Sequence, residues 1–88
     1  MFTMTDLAGE YLNELLDNAN AAEETVVRFV VEDRTLKPTL DTARPGDATF
    51  DHDGQTVLVL DTQVMQAIAD STLDVQATDD GPQLVLFR

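Results

Sequence analysis

From Thr5 onward apolar residues recur at helical spacing. Leu7, Ala8, Tyr11, Leu12, Leu15 and Leu16 share one side of a helix, while Asp6, Glu10, Asn13, Glu14 and Asp17 take the other. Thr5 is suited to cap its start, and Asp6 places a negative charge where the helix dipole is positive. Small and acidic residues from Asn18 to Glu24 end the pattern and predict a loop. The period then changes to two. Thr25 to Glu32, TVVRFVVE, predicts a strand near the middle of a sheet, with Val27, Phe29 and Val31 on one face and Arg28 and Glu32 on the other. Leu36, Pro38 and Leu40 also alternate, and the missing donor of Pro38 points to an edge strand or an irregular one. Ala43 to Asp47, ARPGD, reads as a turn.

Asp53-Gly54 is a preferred two-residue hairpin loop, because both positions need positive φ. Around it His52 faces Gln55, Asp51 faces Thr56, Phe50 faces Val57 and Ala48 faces Val59, which puts Ala48, Phe50, Val57 and Val59 on the core side. Asp61 or Thr62 caps a short second helix with an apolar stripe of Val64, Met65, Ile68 and Ala69. Thr72 to Ala77 and Pro82 to Phe87 flank a turn at Asp80-Gly81, which pairs Ala77 with Leu84 and Val75 with Leu86. Most connections are too short for parallel crossovers. The expected architecture is a β-rich α+β domain: a compact, largely antiparallel sandwich or partial barrel with an amino-terminal amphipathic helix and a short inserted one.

Residues 1 to 88 suffice for a single domain near the lower size limit for a core without staples. Cysteine is absent, which removes disulfides, thiolate nucleophiles and cysteine-ligated zinc or iron-sulfur clusters. The amino terminus lacks the pattern of a signal peptide, and no apolar run approaches the ~20 residues that span a bilayer, so a soluble cytoplasmic protein is expected, with no membrane partner. Seventeen acids against five bases give a net charge of -12. At 43% hydrophobic with clear periodicity, the chain is not a disordered acidic one. The acids are spread along the sequence instead of forming one block, which fits a halophilic cytoplasm better than a recognition surface. Nucleic-acid binding is disfavoured for want of a basic stripe.

Chemistry is sparse. Asp51, His52 and Asp53 resemble metal ligands by type, but alternation sends Asp51 and His52 to opposite faces, and a calcium loop fitted at Gly54 ends in Leu60 where a bidentate carboxylate is needed. These residues read as a turn. Ser71, the only serine, has no base beside it in sequence, and the only lysine, Lys37, adjoins Pro38. Asp79 and Asp80 read as solvated turn residues. No glycine-rich phosphate loop is present. Arg28, Arg34 and Arg44 are expected to pair with nearby acids. No catalytic, cofactor-binding or metal-ligating residue is assigned.

The order of elements resembles the HesB/IscA family, the A-type iron-sulfur cluster carriers. The carriers of that resemblance are the threonine-capped helix Thr5 to Leu16 with its alanine, the strand Val27-Arg28-Phe29-Val30-Val31, then Asp47, Phe50, Gly54, Val57 to Asp61, the helix around Val64 to Ile68, Asp74, and Gly81 to Phe87. They span almost the whole chain. The family's ligands are a cysteine in a glycine-rich segment after the arginine-bearing strand and two more in a Cys-Gly-Cys tail. Here the first place reads Glu32-Asp33-Arg34-Thr35-Leu36-Lys37, and the second lies past Arg88. The resemblance therefore implies the fold but no cluster, no cofactor and no enzyme. It implies a non-catalytic domain that kept its surface for protein partners, iron-sulfur assembly proteins among them. The edge strand from Leu36 to Leu40 is a candidate docking edge, and with so small a core a homodimer is also in keeping. The alternative is a small-ligand or divalent-metal module with Asp51, His52 and Asp53 as its residues.

Overall fold

A computed structural model describes residues 1–20, 22–33 and 35–88. Helix α1, Asp6–Asn18, begins where the sequence places it: Thr5 Oγ1 accepts from the Ala8 amide at 3.2 Å. Asp61 caps α2, Thr62–Ala67, in the same way through the Val64 amide at 2.8 Å. The strands are β1 (Thr3–Met4), β2 (Thr25–Glu32), β3 (Thr35–Thr42), β4 (Ala48–His52), β5 (Gln55–Leu60), β6 (Thr72–Thr78) and β7 (Gly81–Phe87). They form a four-stranded sheet ordered β3-β2-β5-β4 and a three-stranded sheet ordered β1-β6-β7.

Short turns make β2 and β3, β4 and β5, and β6 and β7 antiparallel neighbours. Two brief parallel pairings, β2 with β5 and β1 with β6, complete the sheets. The two-residue β1 carries no periodicity and is not expected from the sequence; backbone bonds from Thr3 N to Ser71 O and from Thr5 N to Leu73 O hold it.

The core gathers Ala8, Leu12 and Leu16 of α1, Val27 and Phe29 of β2, Leu58 and Leu60 of β5, Val64 and Ile68 at α2, and Leu73 of β6. Each fully buried aliphatic side chain contributes on the order of 1.5–3 kcal/mol, so this cluster dominates local propensity. Phe2 meets Phe50 edge-on, with ring centroids 5.0 Å apart. Not every residue of the expected apolar stripes joins in: Leu7 is 59% exposed, Val31 is 59% exposed, and Ala69 faces solvent.

Two registers differ from expectation. In the β4–β5 hairpin Asp53 and Gly54 take φ of 52° and 79°, and His52–Gln55 and Asp51–Thr56 pair as expected. A bulge between Phe50 and Asp51 then moves Phe50 opposite Leu58 and Ala48 opposite Leu60. Of the expected core side, Val57 joins the core and Phe50 packs against it, but the alternation fails because β5 is central and buries Val57, Leu58, Val59 and Leu60 alike. In the β6–β7 hairpin the turn is Asp79-Asp80, with Val75 opposite Leu84 and Ala77 opposite Pro82. Thr78 Oγ1 accepts from the Asp80 amide and donates to the Gly81 carbonyl, and Gly81 opens the strand at φ 104°. The shift is of two residues, so each side chain keeps its face.

Candidate functional site

The most elaborate polar arrangement centres on Arg28. Its position in β2, between β3 and β5, puts the side chain on the sheet face opposite Val27 and Phe29, where the segment from Asp41 to Asp47 folds over it. Nε donates to Asp41 Oδ2 at 2.9 Å, Nη1 to Asp47 Oδ1 at 3.1 Å, and Nη2 to both Asp47 Oδ2 and the Thr42 carbonyl. The Arg44 amide reaches Asp47 Oδ2 at 2.8 Å, and its guanidinium reaches Asp41 Oδ2 at 2.9 Å. Arg28 lies, as expected, on the face opposite Val27 and Phe29, but its burial has no signal in the sequence. It is 5% exposed, because this bidentate carboxylate fork satisfies its donors on a central strand. The expected pairing of Arg28 and Arg44 with acids holds; Arg34 lies outside the described residues.

The electrostatics make this a clamp. The Arg28 fork and the Arg44 amide hold the Asp47 carboxyl below its ordinary range, while the Thr42 amide and then Arg28 do the same for Asp41. Bonding to Asp47 raises the guanidinium above its own. Both partners are fixed in their charged forms, so neither is poised to exchange a proton. Asp74 is held down likewise, by the Thr5 hydroxyl at 2.7 Å and the Val75 amide, which ties the start of α1 to β6. Thr5, Arg28, Asp47 and Asp74, four polar positions that carry the family resemblance, are thus joined in two scaffold contacts.

The residues of the metal alternative do not converge. Asp51 accepts from Thr56 Oγ1 at 2.7 Å. His52 turns to the other face and packs against α1: a Cβ placed on Gly9 would lie 2.6 Å from its Nδ1. Its Nε2 is 3.4 Å from Asp53 Oδ2, a carboxylate that is 87% exposed. Among the described residues no three His, Cys, Asp or Glu side chains form a metal-binding group. Lys37 lies 4.0 Å from Glu32, Ser71 is buried at the β1–β6 junction, and Asp79 and Asp80 are exposed in their turn. No described helix is long and apolar enough to cross a membrane.

What remains is an apolar cleft of about 460 Å³ between the two sheets, lined by Tyr11 and Leu15 of α1, Phe29 of β2, Leu36 and Pro38 of β3, and Leu84 and Leu86 of β7. A smaller groove of about 230 Å³ shares Leu15 and Pro38 with it and continues along β3 to Leu40. The alternation of Leu36, Pro38 and Leu40 is the sequence signal for this surface. The partners on α1 and β7 have no such signal, since only the packing of the sheets brings them near. The start of β3 reaches the cleft through Leu36, and the end of β7 reaches it through Leu86. Leu36, which follows β2, and Leu86, near the end of β7, therefore border one apolar surface.

The structure superposes on Escherichia coli SufA, described as involved in biosynthesis of iron-sulfur clusters, with TM-score 0.72 and 23% identity over 99% of this chain and 84% of that one. It matches IscA with its [2Fe-2S] cluster at TM-score 0.68 and 14% identity, covering 100% of this chain and 85% of that chain. It matches a protein from Aquifex aeolicus at TM-score 0.68 and 24% identity, covering 99% and 90%. No protein-family model and no curated protein sequence matches the chain. The fold is HesB/IscA-like, as the order of elements implies, and it is formed by 88 residues that contain no cysteine.

Proposed function

We propose that this chain is a non-catalytic HesB/IscA-like interaction domain with an accessory role near iron-sulfur cluster assembly, and that it holds no cluster itself. The observation that carries this reading is the apolar cleft bordered by α1, β3 and β7 in a HesB/IscA-like fold without cysteine. Thiolates hold such clusters, and this sequence offers none. The clamp at Arg28 and the Thr5–Asp74 bond secure the scaffold and leave the cleft and the edge of β3 as the surfaces offered to partner proteins. The acidic surface speaks against nucleic acid as the partner.

The test is affinity purification of the tagged protein from its own cytoplasm at native salt, with co-purifying proteins identified by mass spectrometry. Recovery of iron-sulfur assembly proteins or their clients is expected. Recovery of unrelated proteins alone would leave the fold inherited without the function. A zinc, manganese and calcium titration in high salt checks the metal alternative: micromolar binding abolished by His52→Ala would overturn the interaction reading.

A further inference from the structure

We propose that the cleft between α1, β3 and β7 receives an amphipathic helix from a partner protein, with leucine-like anchors on one face and lysine or arginine on its flanks. This deepens the interaction-domain reading and rests on it. The groove is long for a compact ligand. From Leu36 to Leu40 β3 spans about 14 Å, the rise of roughly nine helical residues, and the smaller groove extends the cleft along that strand through Leu15, Pro38 and Leu40. Its walls are apolar, and Leu40 and Leu86 are 51% and 37% exposed.

Helix is favoured over strand because of Pro38. It pairs with Phe29 midway along the edge strand, and without an N–H it has no backbone donor to offer an added strand. Helix-in-groove recognition uses side chains alone.

Charge selects the partner's flanks. Glu10 and Glu14 are exposed beside Tyr11 and Leu15 on α1, and Glu32 and Asp33 are exposed at the end of β2 near Leu36. Of the described bases, Arg28 and Arg44 are engaged with Asp41 and Asp47 and Lys37 lies 4.0 Å from Glu32, while Arg88, exposed just past Leu86, is a single cation against these acids. A second copy brings the same net charge of -12 and is repelled, as is an anionic bilayer, whereas a cationic segment is attracted.

The test is an NMR titration of the ¹⁵N-labelled chain with a synthetic peptide of about 16 residues, leucines at helical i, i+3, i+4, i+7 spacing and lysines elsewhere, against the same peptide with glutamates. The lysine peptide is expected to shift the amides of Leu15, Leu36, Leu40 and Leu86, to bind at least about ten-fold more tightly than the glutamate one, and to weaken about ten-fold for Leu40→Asn and Leu86→Asn. Both side chains are partly exposed, so the variants keep the fold, which their spectra verify. Equal or absent binding, or shifts scattered over the acidic surface and untouched by these variants, would overturn the proposal. So would the same shifts on concentrating the chain alone, which would mean that a second copy covers the cleft. Failure here with assembly proteins still recovered by affinity purification would sink the helix and spare the interaction role.

Discussion

Gly9 has no side chain because His52 occupies the space. An alanine in the middle of a helix ordinarily gains about 1 kcal/mol over glycine, but here its Cβ would stand 2.6 Å from Nδ1 and 2.9 Å from Cγ of the imidazole. Gly9→Ala is therefore expected to destabilise by about 1–3 kcal/mol. In a His52→Ala background only the Cβ contact at 3.0 Å remains, and the cost should shrink by about 1 kcal/mol or more. A urea-denaturation double-mutant cycle reads the difference; additivity would mean that the ring does not rest on Gly9. The charged residues give a pH signature. Asp41, Asp47 and Asp74 titrate below their ordinary range in the folded chain, through the Thr42 amide, the Arg28 fork and the Thr5 hydroxyl respectively. Such groups add stability above about pH 4, the unfolded value, and lose it as pH falls through the lower folded value. Arg28 shifts the other way and stays charged across this window, so it adds no slope. Urea midpoints should fall below about pH 4, and the fall should be shallower in Asp47→Asn. An unchanged acid limb would remove the clamp from the account.

At the scale of elements, β3 holds an exposed edge in check. Its eight residues pair along the full length of β2 and leave the other side of the backbone free, with Pro38 deleting a donor halfway along. Pro38→Val restores that donor and is expected to promote self-association in sedimentation experiments, with little change in the stability of the monomer. A strictly monomeric variant would show that the edge is guarded by something else, the net charge in particular. Apart from the two-residue β1, the elements themselves were legible: Thr5 and Asp61 as caps, Asp53-Gly54 as a turn with two positive φ values, Pro38 on an edge. Each is a local rule with a local cause. Three things were not. The bulge at Phe50 depends on how β5 packs on both faces, and alternation within one strand cannot report that. Arg28 is buried because a segment more than a dozen residues downstream returns to cover it. The cleft joins α1, β3 and β7, whose apolar residues each looked like ordinary core. The candidate site was thus visible only as the alternation of Leu36, Pro38 and Leu40, while Asp51 and His52, the residues of the metal alternative, are separated in the structure by the same period-two rule that predicted their hairpin.

For the molecule as a whole, the ledger of charge sets the working conditions. A net charge of -12 on 88 residues opposes the compact state wherever it is unscreened. The Debye length falls from about 10 Å at 0.1 M salt to about 3 Å at 1 M, so repulsion among exposed acids fades while buried contacts such as the Arg28 fork, with side chains 6% exposed on both partners, are screened far less. The melting temperature should therefore climb steeply from dilute to molar salt. Glu10→Gln with Glu14→Gln should flatten the climb without lowering the plateau, because both side chains are exposed and neither belongs to the core. The same screening acts on a cationic partner in the opposite sense: at molar salt its flanks lose their attraction and only the apolar anchors in the cleft remain. Stability and partner affinity should thus move apart as salt rises. Calorimetry of the free chain and the peptide titration, both run across the same salt series, measure the two slopes. A flat melting profile beside a steep loss of affinity would assign the acids to recognition; a steep melting profile beside unchanged affinity would assign them to habitat and leave the cleft to act by its apolar surface alone.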